Sequence, residues 1–185
     1  GVGQEGVTGD YKSAQIKINT LVDDIPNMDS LANIQSIDMF NIDSCDISFE
    51  NLKSIAKYIN ENASKEDIDG FVITHGTDTL EESAYFLNLT VKTKKPVILT
   101  GSMRPGTAIS ADGPLNLYQA VALASSDESY GKGVLVTLCD GIYAARDVSK
   151  INTFRTYAFN QKDLGCLGYM KDDKVFFYSS TVKAH

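Results

Sequence analysis

Thr77 and Asp78 follow Gly76 shortly after an apolar run, and Lys150 follows a later buried strand, at the end of Ala144-Ala145-Arg146-Asp147-Val148-Ser149-Lys150. A hydroxyl becomes a nucleophile or a proton relay only with help from a base, and a lysine whose ammonium is disfavoured by burial can serve as that base. A carboxylate beside the pair would hold a cation. The glycine permits a tight turn whose backbone N–H groups can point at an anion or an oxyanion. A second polar cluster, Thr100, Ser102, Arg104 and Asp112, follows the next apolar run. Together with Thr74 these residues are candidates to line one crevice.

Each candidate also has an ordinary explanation. A Thr or Ser in a strand-to-helix turn more often caps the helix than performs catalysis. A lone Lys after a strand is usually solvated, Asp78 and Asp112 can cap helices or staple loops, and His75 reads as a satisfied structural side chain. A Ser-His-Asp relay is disfavoured: of the two histidines only His75 is internal, and no Gly-x-Ser-x-Gly elbow occurs.

The candidates need elements that bring them together, and the stretch from Gly70 to Leu117 supplies them. Phe71-Val72-Ile73 and Pro96-Val97-Ile98-Leu99 are continuous apolar runs, each followed by a polar turn and a helix-like segment. Such runs mark strands covered on both faces, as in parallel α/β sheets. Both loops then lie at the carboxyl edge of one sheet, where α/β proteins bind ligands. The expected fold is α/β, a doubly wound parallel sheet in flavodoxin-like order closed by a terminal β-hairpin.

Along the chain, residues 1–14 read as a glycine-rich loop, and Ile18 to Val22 as a short apolar segment ended by Asp23-Asp24-Ile25-Pro26. The alternation from Ile34 to Ile42 predicts a strand ending at Asp43-Ser44-Cys45-Asp46. Ser48 caps a helix from Phe49 to about Asn62, with Leu52, Ile55, Ala56 and Ile59 inward. Pro114 opens a helix over 114–126 with Leu117, Ala120, Val121 and Leu123 inward. Gly133 to Leu138 reads as a buried strand, Ile142 to Lys150 as a polar connection crossing outward, and Cys166–Met170 with Val175–Tyr178 as the hairpin.

Composition excludes several classes of function. The 185 residues suffice for one sizeable domain, and 43% hydrophobic with 22% charged is ordinary globular usage. A net charge of -7 argues against nucleic-acid binding, because no basic stripe can neutralise phosphates. Cys45, Cys139 and Cys166 follow neither a disulfide framework nor a zinc pattern. No apolar run approaches the roughly 20 residues of a membrane span, and Gly1 to Asp10 has no signal-peptide core.

Thr74-His75-Gly76-Thr77-Asp78-Thr79, continued by Glu81-Glu82 and Ala84-Tyr85-Phe86-Leu87, closely resembles a signature of the bacterial-type L-asparaginases, especially type II. Gly101-Ser102-Met103-Arg104-Pro105, Ser110-Ala111-Asp112-Gly113-Pro114 and Arg146-Asp147-Val148 with Lys150 fit the same family at matching spacings, from about Tyr11 to the chain end. The resemblance implies hydrolysis of the L-asparagine side-chain amide to L-aspartate and ammonia through a threonine acyl-enzyme, with L-glutamine as a competing substrate. It implies Thr77 and Lys150 as the hydroxyl-and-base pair, with Asp78 and Gly76 beside them and Asp78 on the substrate's α-ammonium. Ser44 would meet the α-carboxylate, Ser102 would border the amide carbonyl, and Tyr11 would belong to a mobile lid. Cys45 departs from the family's common Gln and alters one substrate contact.

The resemblance further implies no metal or organic cofactor, a homotetramer built as a dimer of close dimers, and a periplasmic or secreted location ahead of a cytoplasmic one. The family's first strand and its Thr-Gly-Gly-Thr-Ile-Ala block, with the threonine usually taken as primary nucleophile, are expected upstream of Gly1, and Thr8 is a poor substitute. A smaller carboxyl-terminal domain is expected after His185. Residues 1–185 thus read as an amino-terminal domain opened at both ends. The alternative reading is an incomplete fragment or remnant that binds asparagine or aspartate without turnover. A sugar- or nucleotide-binding module is disfavoured because no G-x-G-x-x-G pattern follows a strand.

Overall fold

The computed structural model describes residues 17–181. Within them, α1 (Ile18–Asp23) leads through 3-10 turns to α2 (Phe49–Asn62). Then β1 (Phe71–Thr74), α3 (Leu80–Thr90), β2 (Val97–Thr100), α4 (Gly113–Ala124) and β3 (Val134–Leu138) alternate. The chain closes with β4 (Gly141–Ala144), β5 (Val148–Lys150), β6 (Phe159–Gln161), β7 (Gly168–Lys171) and β8 (Lys174–Phe177).

The protein is an α/β fold built on a six-stranded mixed sheet of order β1-β2-β3-β4-β7-β8. β1, β2 and β3 are parallel, with Thr74 opposite Thr100 at their shared carboxyl edge. From β3 onward the sheet continues antiparallel, ending in the β7–β8 hairpin expected around Asp172-Asp173. A separate antiparallel ribbon, β5–β6, carries Lys150 opposite Phe159.

Both faces of the parallel strands are covered, which explains their uninterrupted apolar runs. Val97, Leu99, Val134 and Val136 pack with Ile55, Ile59, Leu80, Ala84 and Leu87 of α2 and α3. Ile98 and Leu135 on the other face pack with Ala120 and Leu123 of α4. The strands follow one another in order and direction while α3 and α4 lie on opposite faces. The two crossovers are therefore of opposite hand, and one has the left hand that parallel connections rarely adopt.

α2 forms where its signals place it. Ser48 Oγ accepts from Asn51 N–H at 3.2 Å and Asn51 Oδ1 accepts from Ser48 N–H at 2.9 Å, a reciprocal capping box. Leu52, Ile55, Ala56 and Ile59 are its buried residues. α4 begins with Pro114 in its first turn and buries Leu117, Ala120, Val121 and Leu123.

Two segments depart from the sequence expectations. Residues 32–43 form no strand, and Ile37, Met39, Phe40 and Ile42 are exposed. Alternation makes a strand only with a ladder partner, and among the described residues this segment has none. Residues 142–150 do not cross outward: β4 turns straight back on β3 and is buried throughout. The tight turn is made by Cys139 (φ 48°) and Asp140 (φ 65°), left-handed positions without a glycine, so the usual hairpin signal is muted. β6 falls where no regular element was expected. The amino-terminal loop lies outside the described residues.

Candidate active site

Two loops, a 3-10 turn and the end of β5 meet at the carboxyl edge of the parallel strands. The first joins β1 to α3 and carries Gly76, Thr77 and Asp78. His75 fixes it from below: its backbone N–H donates to Thr100 O at 2.8 Å, continuing the ladder beyond the last strand residues. The imidazole is buried, with Nδ1 donating to Gly76 O at 2.6 Å and Nε2 accepting from Ser83 Oγ at 2.9 Å. A carbonyl can only accept, which assigns the Nδ1–H tautomer. Burial foremost lowers the pKa of His75, so the ring is neutral at pH 7 and acts as a structural brace, as its sequence context implied.

The second segment is the 3-10 turn Ser44–Asp46 before α2. Asp43 opens it by accepting from Cys45 N–H at 3.1 Å, and Thr79 Oγ1 donates to Ser44 O at 2.7 Å. Gly76 faces this turn so closely that a Cβ there would lie 2.6 Å from Ser44 Oγ. A side chain at position 76 would therefore drive the two loops apart.

Lys150 arrives from the third direction, at the end of β5. Its Nζ donates to Thr77 Oγ1 at 2.9 Å and to Asp78 Oδ1 at 2.6 Å. The Lys150 side chain is 14% exposed and that of Asp78 59%, so the pair has a sheltered cationic end and an open anionic end. Lys150's hydrogen bond leads in holding the Asp78 carboxyl below its ordinary range, against the opposing effect of burial. On the second carboxylate oxygen, Cys45 Sγ donates to Asp78 Oδ2 at 3.6 Å. That bond leads in pushing the Cys45 thiol upward, so it is a protonated donor at neutral pH rather than a thiolate nucleophile.

The β2–α4 loop borders this group. Gly101 packs on His75 O and on Thr77, where an added Cβ would lie 3.2 Å from Thr77 Cγ2, and Ser102 beyond it is buried. Arg104 and Asp112 brace the loop itself. The Asp112 carboxylate accepts from Met103 N–H at 2.9 Å and Arg104 N–H at 2.8 Å, while Arg104 Nη1 donates to Ser110 O at 2.8 Å. Thr100 is buried and donates to Thr137 O at 2.8 Å, a tie inside the sheet. Thr74 ends β1 exposed. Thr77, Asp78, Lys150, Cys45, Ser44 and Gly76 are thus brought to one place, with Ser102 next to Gly101 at its border, while Thr100, Arg104 and Asp112 hold the frame. Tyr11 and Thr8 lie outside the described residues.

Asp43, Cys45 and Asp78 present ligand-type atoms within 4.8 Å of one another. A divalent ion there would compete with the Lys150 ammonium for the Asp78 carboxylate, so the donor set does not favour a metal. Among the described residues, no helix is long and apolar enough to cross a membrane.

Sequence reasoning gave Asn116 and Glu81 no role of their own. Asn116 Nδ2 donates to Gly101 O at 2.9 Å and Asp112 Oδ2 at 3.0 Å, and its Oδ1 accepts from Cys139 N–H at 3.0 Å. One side chain so ties two strand-end loops to α4. Its signal was an amide among the buried positions of a mainly apolar helix, which also buries Gln119. The Glu81 carboxylate accepts from the backbone N–H of Lys150.

The profile described as Asparaginase, N-terminal matches residues 3–183. A glutaminase-asparaginase of Acinetobacter glutaminasificans is 48% identical over 175 residues, 95% of this chain and 53% of that protein. A probable periplasmic L-asparaginase of Haemophilus influenzae is 47% identical over 185 residues, 100% of this chain and 52% of that protein. Among solved structures, a probable cytoplasmic L-asparaginase from Campylobacter jejuni matches with a TM-score of 0.90 at 50% identity, over 94% of this chain and 55% of that one. The chain spans about half the length of the curated relatives it matches.

Proposed function

Because this chain belongs to the asparaginase family, matched over residues 3–183, we propose that the full-length protein hydrolyses the side-chain amide of L-asparagine to L-aspartate and ammonia. The observation that carries the reading is the Lys150 Nζ contact to Thr77 Oγ1 at 2.9 Å, made where the end of β5 meets the β1–α3 loop at the sheet edge. With Lys150 in its neutral amine form, the Thr77 proton can pass along this hydrogen bond as the carbonyl is attacked, the arrangement that nucleophilic acyl transfer needs.

In this reading Thr77 and Lys150 are the hydroxyl-and-base pair, and hydrolysis passes through a threonine acyl-enzyme. Asp78 receives the substrate's α-ammonium. Its carboxylate is ionised, more than half exposed and so available to a cation arriving from solvent. Ser44 and the backbone near Gly76 serve the α-carboxylate, Ser102 borders the amide carbonyl, and Tyr11 closes the site. Residues 1–185 form the amino-terminal α/β domain of the full-length protein, which assembles as a dimer of close dimers.

L-Glutamine is proposed as a second substrate, supported by the glutaminase-asparaginase name of one relative. One methylene changes discrimination by only about 1–3 kcal/mol. A periplasmic or secreted location is favoured, in line with the name of the Haemophilus influenzae relative, although the Campylobacter jejuni neighbour is named cytoplasmic. The test is ammonia release by the full-length protein from each amide in turn. Turnover of L-asparagine supports the reading, whereas saturable binding of L-asparagine or L-aspartate without ammonia would identify a binding remnant instead.

A further inference from the structure

We propose that Glu81 is a positioning residue that sets the reach of Lys150 to Thr77, an inference that rests on the hydrolase reading for its kinetic arm alone. Lys150 is the last residue of β5, whose ladder partner among the described residues is β6 alone. The next residue, Ile151, donates its N–H to Ala158 O at 2.7 Å, back towards β6. In an antiparallel pair successive N–H groups point to opposite sides, so the N–H of Lys150 faces away from β6 and needs a partner elsewhere. Glu81 supplies it, across 69 positions of sequence.

Glu81 stands in the first turn of α3, and the loop that enters this helix bears Thr77 and Asp78. The hydroxyl, the carboxylate and the anchor of the lysine's backbone are therefore on one rigid unit. Without the anchor, the β5–β6 ribbon would be tied to that unit at this point through the flexible Lys150 side chain. Glu82, adjacent and exposed, has the same charge and does not hold Lys150, which makes it the matched control.

The experiment compares full-length wild type with Glu81→Ala, Glu81→Asp, Glu81→Gln and Glu82→Ala, each checked for folding by circular dichroism. Acetylation by limiting N-hydroxysuccinimidyl acetate is followed by mass spectrometry at Lys150 relative to Lys57, a surface lysine of α2. This readout does not depend on turnover. Glu81→Ala is expected to raise Lys150 labelling severalfold, Glu81→Asp to raise it less, and Glu81→Gln, whose amide oxygen still accepts, to leave it near wild type along with Glu82→Ala. In ammonia release, Glu81→Ala is expected to lower kcat about 10- to 100-fold with KM within about threefold, and Glu81→Gln to restore most of the rate.

Unchanged Lys150 labelling in folded Glu81→Ala overturns the proposal, as does an equal rise in Glu82→Ala. If Glu81→Ala does not fold, Glu81→Asp decides on the same criterion. A wild-type protein that releases no ammonia overturns the hydrolase reading, and the labelling result still decides the role of Glu81.

Discussion

Replacing Lys150 with Met keeps most of the apolar stem and removes the ammonium, and the structure sets very different consequences for folding and for turnover. Two hydrogen bonds disappear, to Thr77 Oγ1 and to Asp78 Oδ1. The first is worth about 0.5–1.5 kcal/mol to stability. The second joins a carboxylate whose side chain is 59% exposed, so solvent screening limits it to about 0–1 kcal/mol. Both losses are offset in part because an ammonium no longer has to be held at 14% exposure. The net cost is about 0.5–2 kcal/mol, a fall in Tm of roughly 1–8 °C for a domain of this size.

If Lys150 is the base, as proposed, turnover loses it altogether, which costs about 10²- to 10⁴-fold in rate, or roughly 3–5 kcal/mol of barrier. The assay pairs thermal melting with steady-state ammonia release from L-asparagine by the full-length protein. A folded Lys150→Met variant that keeps more than about a tenth of wild-type kcat would refute the assignment of Lys150 as base.

Two further perturbations probe the frame. His75 is held neutral with a lowered pKa, so the unfolded chain binds its proton more readily: stability is full above the unfolded value of 6.5 and declines as pH falls below it, by up to about 1.4 kcal/mol per pH unit. Urea midpoints at pH 8, 6 and 5 should show this slope, and His75→Gln should flatten it; identical slopes would show that the brace is not buried as described. Gly76→Ala should cost about 1–3 kcal/mol by overpacking and raise KM for L-asparagine, because the new methyl meets Ser44 Oγ and Cβ at 2.6 and 2.7 Å. An unchanged KM would separate Ser44 from substrate binding.

What could be read in the sequence was what is encoded locally. α2 was legible because Ser48 and its inward residues carry cap and period within one short stretch. β1 and β2 were legible because both of their faces are covered, leaving no polar interruptions. Residues 34–42 misled because alternation states a preference for pleated backbone but not the presence of a neighbour. β4 was hidden because Cys139 and Asp140, rather than glycine, occupy the left-handed turn positions. The contact of Thr77 with Lys150 spans 73 positions and that of Glu81 with Lys150 spans 69. For the first, a lysine following a buried strand suggested the pairing and the resemblance supported it; for the second nothing local could, since an acidic residue in a first helical turn already has a sufficient explanation in the helix dipole.

The most direct test is ammonia release from L-asparagine by full-length wild type and Thr77→Val, a near-isosteric change that removes the Lys150-bonded hydroxyl and leaves the volume in place. The account predicts turnover in the wild type and a loss of about 10²-fold or more in kcat in a variant that folds normally. Equal kcat in the two proteins would contradict it, because the contact at 2.9 Å would then have no part in the chemistry.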